Sequence, residues 1–383
     1  MTNAIKESLE MKLQHLKTFL KQDANERDQR GGTAYEQIGY LKQSGLLPIV
    51  VPKHLGGEGA TWETILQIVQ SIAEVDSAIA HLYAFNMLDI ITPHYRGTKE
   101  QQEYFYKETL KHNWFWGNAV NTKEKLLFGN LQGTYYILNG TKSFSSGSPG
   151  SDYLIIAWRD AKTDEVLSGA IPSNREGLTI HEDWDGFGQK QTGSGTVTFD
   201  NVVVYEHEIL QHESFGHESY SITRILTLSI LGNIFVGVSK GVMQEAKQFL
   251  SAKIAEKMPN EIDVIIARKI GDLSIQLRGV EVLAEKINQQ VAIAWSTEFH
   301  ISQQQFDELF IDAAGFNVLA GDVALKITSE IFEVLGARSV TLKNGFDRFW
   351  RNVRTHTLHD SVENKKIAAG QFLLTGSLPP FTK

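Results

Sequence analysis

The apolar residues of this chain keep two different periods, and the switch between them limits the possible folds more than any single motif. From the start to about Lys111 they recur at three- and four-residue steps. Leu9, Leu13, Leu16 and Leu20 form one stripe of an amphipathic helix expected over 1–30, and Ile65, Ile68, Ile72, Val75, Ile79 and Leu82 belong to a buried helix expected over 64–91. Between them Pro52, Gly56, Gly57 and Gly59 cannot continue a helix and mark a structured turn. From about Asn113 to Leu210 the pattern becomes β-like: 134–138, 153–158, 196–199 and 202–204 are rich in β formers, and Asn139-Gly140 reads as a tight turn. From about His217 the helical period returns. Long helices are expected over 222–254, over 261–291 behind Pro259, and over 306–335, where Gly336 stops the last. This is an α+β chain with a β segment inserted between two helical ones. It divides into an N-terminal helical domain, 1–112, a central β domain, 113–215, and a C-terminal helical bundle domain, 216–383.

Charge and cysteine usage exclude several function classes. A net charge of -8 disfavours a nucleic-acid or anionic-membrane partner, both of which attract clustered positive charge. With no cysteine there is no disulfide framework, thiolate metal site or cysteine nucleophile. The polar start lacks the apolar core of a secretory signal, and the apolar run 225–238 is interrupted by Ser229, Gly232 and Asn233, so a cytoplasmic protein is expected. The histidines show no zinc-type spacing, so no metal site is expected. No Gly-x-Gly-x-x-Gly follows a strand, which argues against a nicotinamide site of the Rossmann type.

Three ordered stretches resemble the acyl-CoA dehydrogenase superfamily. The first is the proline and double-glycine loop 51–59. The second is 138–147, with Asn139, Gly140, Lys142, Phe144, Ser146 and Gly147, followed by Ser151-Asp152-Tyr153. The third is 186–202, from Gly186-Phe187-Gly188 to Phe199-Asp200-Asn201-Val202. Within that superfamily the segment 345–360, including Arg348, Arg351, Arg354, His356, His359 and Asp360, closely resembles the flavin-dependent monooxygenase branch of the dibenzothiophene monooxygenases; 113–119 and Ala80-His81-Leu82 match the same branch. Departures from true acyl-CoA dehydrogenases agree. The Tyr-Glu-Gly context of their glutamate base is replaced by His359, Asp360 and Ser361, and a shorter carboxylate reaches a substrate carbon poorly. Their Thr-Glu-Pro segment gives way to the stretch from Asn118 to Lys125, their adenine-contacting Arg and Phe-Gly pair is missing around Lys253 to Pro259, and their glycine cluster shrinks to Gly336-Ala337-Arg338.

The resemblance implies the acyl-CoA dehydrogenase fold, ending in a C-terminal four-helix bundle. It also implies an oxygenase that uses reduced FMN and O2 through a C4a-hydroperoxide to oxygenate a small, organosulfur substrate, with FAD as the alternative cofactor. A separate NAD(P)H:flavin reductase would supply the reduced flavin, and a homotetramer is the usual assembly. His81, Asn118, Ser146 and His359 would line the oxygen side of the flavin, histidine suiting proton supply near neutrality. Asp360 would orient His359, Phe144 and Trp184 would pack by the ring, and Arg268 would reach the cofactor phosphate, from a neighbouring subunit in one arrangement.

Each assignment has a plainer reading. His81 on an apolar helix reads equally as a satisfied core histidine, and Ser146 as a turn residue. His359-Asp360 reads also as a surface pair with Arg354 or Lys365, and the three arginines as phosphate ligands or intersubunit ion pairs. His356 reads as a catalytic group or as a support for one, and of Trp114 and Trp116 at least one belongs to the core. Two other functions share the pattern: an FAD-dependent acyl-CoA dehydrogenase acting on a thioester, and a non-catalytic flavin-binding oligomer.

Overall fold

A computed structural model describes residues 2–121, 124, 126–211, 215–257 and 263–380. Six helices come first: α1 (Thr2–Lys21), α2 (Ala24–Arg30), α3 (Tyr35–Ser44), α4 (Trp62–Ala73), α5 (Ser77–Arg96) and α6 (Lys99–His112). Seven strands follow: β1 (Trp116–Ala119), β2 (Leu127–Gln132), β3 (Tyr135–Lys142), β4 (Tyr153–Asp160), β5 (Val166–Pro172), β6 (Leu178–Ile180) and β7 (Val197–Val204). The chain then returns to helix in α7 (Ser219–Lys257), α8 (Val264–Ser296), α9 (Gln303–Leu335), α10 (Asp347–Thr357) and α11 (Val362–Thr375).

The strands form one mixed sheet in the order β1-β4-β2-β3-β7-β6, with β5 also paired to β4. β1 runs parallel to β4, and β3 antiparallel to β7. The sheet has its own small core around Leu138, Trp158 and Phe199, whereas the helices before and after it share a single large one. Leu16 and Leu20 from α1, Ile65 and Ile72 from α4, and Ile234 and Ile327 from the later helices all lie in that shared core. The two helical segments are therefore one packed body, built from residues over 300 positions apart. Ser219–Ser251 of α7 is long and apolar enough to cross a membrane, but 89% of its apolar 18-residue window is buried inside this body.

Three expectations need correction. The helix expected over 64–91 is two, because Asp76 caps α5 by accepting the N–H groups of Ala78 and Ile79 at 3.0 and 3.1 Å, which starts a new axis. The helix expected over 1–30 likewise breaks between Lys21 and Ala24. Asn139-Gly140 is not a hairpin turn but lies inside β3, at a register shift against β7. Gly140 is there because its φ is +134° and a Cβ would stand 1.9 Å from the Leu126 carbonyl oxygen. Gly336 ends α9 as expected, with φ +74°. Pro259, Glu261 and Lys125 lie outside the described residues.

Candidate active site

Helix α5 is the beam of the site. His81, Phe85 and Asp89 recur every four residues and so share one face, spanning about 12 Å along the axis. At the first position His81 meets His356 of α10: its Nδ1 lies 3.0 Å from His356 Nε2, with the rings stacked at 4.9 Å. Phe85 stacks on His81 at 4.2 Å and faces the His359 ring at 6.2 Å. The structure thus brings His81 together with His356 and His359, 275 and 278 positions later in the chain, the first by direct contact and the second across the Phe85 ring.

Both paired histidines are buried and neutral. Burial pushes the His81 imidazole down to about 3 and the His356 imidazole well below its ordinary range, with the neighbouring histidines adding to each shift. Two neutral imidazoles sharing one hydrogen bond must be complementary tautomers: one donates and the other accepts. The outer nitrogens, His81 Nε2 and His356 Nδ1, are buried and have no partner. One of these two must carry a proton and the other a lone pair, so the pair can release a proton at one end and take one up at the other.

At the far end of the beam lies Asp89, which nothing in its local sequence distinguishes. It is 4% exposed, and its Oδ2 accepts the Asn118 Nδ2 at 3.1 Å. Burial raises its carboxyl to about 7, the Asn118 bond acting the other way. Asn118 sits on β1, and its N–H donates to the Ser146 carbonyl at 3.1 Å. The β side is therefore hung from the helix beam through Asn118.

The β side is made by two loops, 143–152 and 181–196. Ser146 Oγ lies 2.7 Å from Ser194 Oγ, which lies 2.7 Å from Thr192 Oγ1, which donates to the Gln189 carbonyl at 2.9 Å. That carbonyl also accepts the Trp184 indole N–H at 2.9 Å. Trp184 meets Phe144 edge to face at 5.9 Å, and Phe144 is 61% exposed at φ +55°. A bulky residue held in the left-handed region costs of order 1–3 kcal/mol and persists where its surroundings dictate the geometry. Gln189, at φ +54°, is clamped by α10 and α5: its N–H donates to Asn352 Oδ1 at 2.6 Å, and its Nε2 donates to Ser77 Oγ at 3.0 Å.

The remaining expected residues are placed differently. Asp360 has its carboxylate 3.6 Å from the Arg224 guanidinium of α7. The Lys365 ammonium donates to Asn317 Oδ1 at 2.8 Å and to the Asp360 backbone carbonyl at 3.5 Å. Arg224, which also lies over the Phe310 ring at 5.0 Å, was not marked by any motif. Arg348 pairs with Glu245 at 2.5 Å, and Arg351 pairs with Asp28 and with Asp347. These bonds lie within one chain and tie α10 to α7 and α2. Arg268 is exposed on α8, and no described contact joins it to the histidines or to Ser146. Of the two tryptophans, Trp116 is the core residue, at 1% exposure.

Comparison with known proteins fits this geometry. Residues 6–112, 120–202 and 229–364 match, in turn, the N-terminal, middle and C-terminal domains of acyl-CoA dehydrogenase. The chain is 34% identical to dibenzothiophene monooxygenase of Mycolicibacterium goodii over 375 residues, covering 92% of this chain and 90% of that protein. Its fold matches methanesulfinate monooxygenase MsuC from Pseudomonas fluorescens with a TM-score of 0.91 at 33% identity, over 96% of this chain and 97% of the other. TdsC from Paenibacillus sp. A11-2, in a complex with FMN and indole, matches with a TM-score of 0.89 at 28% identity, over 97% and 98% of the two chains.

Proposed function

We propose, for a chain that belongs to the acyl-CoA dehydrogenase family, that it is a flavin-dependent monooxygenase that uses reduced FMN and dioxygen to oxygenate an organosulfur compound. The observation that carries the reading is the buried, uncharged His81–His356 pair with an unpartnered nitrogen at each end. A dehydrogenase of this fold needs a carboxylate base near the α10–α11 junction, and here that place holds His359 and an Asp360 carboxylate facing Arg224.

The residues fit a flavin. Exposed Phe144 and the anchored Trp184 offer apolar faces to a planar ring, while Ser146, Asn118 and the histidine cluster offer polar atoms for its edge and for an oxygen ligand. When bound, reduced FMN supplies the electrons that let one atom of dioxygen enter the substrate while the other leaves as water. His81 would hold a proton at Nε2 and deliver it as the oxygen is transferred, with His356 restoring the tautomer through the 3.0 Å bond. His359 would stand across Phe85 from this pair and bound the substrate side. Asp89 holds Asn118 in one orientation, and the buried face of α5 excludes water that would divert the oxygen to peroxide. Asp360, set against Arg224, would fix the start of α11 and so the position of His359.

Two further parts of the reading rest on the surface. Ile275, Val282 and Ile293 of α8 and Leu373 and Leu374 of α11 are exposed apolar side chains of the kind a homotetramer covers. Arg268 and Ile275 stand seven residues apart on α8, so Arg268 would reach the FMN phosphate of a neighbouring subunit. Reduced FMN would come from a separate NAD(P)H:flavin reductase. The test is to mix the protein with reduced FMN, 18O-labelled dioxygen and either dibenzothiophene or methanesulfinate. Label in a sulfur product supports the reading, whereas labelled hydrogen peroxide alone, for a broad panel of sulfur compounds, sinks it.

A further inference from the structure

The hydroxyl chain on the β side has a direction. A hydroxyl carries one proton, and a carbonyl oxygen only accepts. Thr192 Oγ1 lies 2.9 Å from the Gln189 carbonyl, so its proton is committed there. It can then only accept from Ser194, 2.7 Å away, which commits the Ser194 proton in turn. Ser194 Oγ therefore accepts from Ser146 at 2.7 Å. Thr192 and Ser194 are 2% and 7% exposed, so water does not readily reverse the chain. Its anchor is firm, because the Gln189 carbonyl also accepts the Trp184 indole and the Thr192 N–H, and Gln189 is itself clamped to Asn352. Ser146 is left with lone pairs alone to offer to anything bound beside it.

We infer that Thr192 and Ser194 are positioning residues that make Ser146 an acceptor-only contact, and that this polarity selects reduced over oxidised flavin. The inference rests on the flavin reading above. Two-electron reduction converts a ring nitrogen of the isoalloxazine from an acceptor into an N–H donor. An oxygen that can only accept bonds that N–H, but meets the oxidised ring lone pair to lone pair. An ordinary serine would turn its hydroxyl and serve both forms; here the buried chain prevents the turn. The site would then retain the reduced cofactor that the reaction consumes and release the oxidised one that it produces.

The test is the ratio of dissociation constants for oxidised FMN in air and dithionite-reduced FMN under argon, in the wild type, T192V, S194A and T192S. The wild type should favour reduced FMN by about tenfold, the worth of one hydrogen bond made or denied. For a two-electron couple this places the bound potential about 30 mV above that of free FMN. T192V lets Ser194 donate back to Ser146 and frees the Ser146 proton for the ring, so the ratio should fall to within about threefold, chiefly by tighter binding of oxidised FMN. S194A should act likewise, and T192S, which keeps the hydroxyl, should restore the wild-type ratio. A merely structural role would weaken both redox forms together. Flavin binding with an unchanged ratio in both T192V and S194A overturns the polarity inference alone, whereas a wild type that binds neither form overturns the flavin reading and this inference with it.

Discussion

The two walls of the site are built from opposite materials. The helical wall, α5 with α10, carries groups that titrate: two neutral histidines, His81 held down at about 3 and His356 well below its ordinary range by burial, and a carboxyl raised to about 7. The β wall carries hydroxyls, carbonyls and aromatic rings around Ser146, Ser194, Thr192 and Trp184, none of which changes charge near neutrality. Under the proposed function, proton movement and its pH dependence belong to the helices, and recognition of the cofactor ring to the loops. A helix supports the first task because its own backbone bonds are satisfied, so a polar side chain can be buried on it without exposing the chain. A loop supports the second because its free carbonyls are available as fixed acceptors.

The largest effect that tests this division is on the helical wall. H359A should lower oxygenated product formation by about 10²–10⁴-fold while FMN binding changes little, as measured by turnover against flavin titration. Equal losses in both would place His359 on the cofactor instead. D89N comes next and is read through stability. The Asp89 carboxyl binds its proton more tightly folded, at about 7, than unfolded, near 3.8. Its stabilising contribution is thus complete below about 3.8 and is lost as pH rises through 7. Melting curves across pH should show D89N gaining on the wild type over that window and levelling above it, by on the order of 2–4 kcal/mol. The paired histidines have the opposite sign: their depressed values make the wild type lose stability as pH falls below about 6.5, and H356F should flatten that fall.

On the surface, R268A should weaken FMN about tenfold but leave riboflavin, which lacks the phosphate, unaffected. Equal weakening of both would remove Arg268 from the phosphate. The smallest effect is on the β wall, where W184A should weaken oxidised and reduced FMN alike by about fivefold, with no change in the pH profile of turnover. A pH-dependent W184A defect would break the division between the walls.

Much of this fold was legible in the chain because its cause is local. Apolar steps of three and four residues mark α4, α5 and α9, and Gly336 marks the end of α9, since each depends on neighbours within a turn or two. What failed was also local in appearance. Asn139-Gly140 carries the composition of a turn, but the pairing of β3 with β7 and the approach of Leu126 give it the role of a bulge. The break at Asp76 was hidden because the apolar spacing on either side runs through it in phase.

The site divides the same way. His81, His356, His359, Asn118 and Ser146 stand in recognisable stretches, so their chemical types were readable from the chain. Asp89 was not, because an aspartate on an apolar helix looks ordinary until β1 brings Asn118 within 3.1 Å of it. Thr192 and Ser194 were equally unremarkable until the loop 181–196 folded against 143–152. The sequence by itself determined the element types, their order and the kinds of side chain available, because these follow from periodicity and local backbone preference. Only the tertiary structure decided which nitrogens lose their partners, which carboxyl is forced to keep its proton and which way a row of hydroxyls points. Those properties depend on burial and on distances between residues far apart in the chain, and no local pattern encodes them.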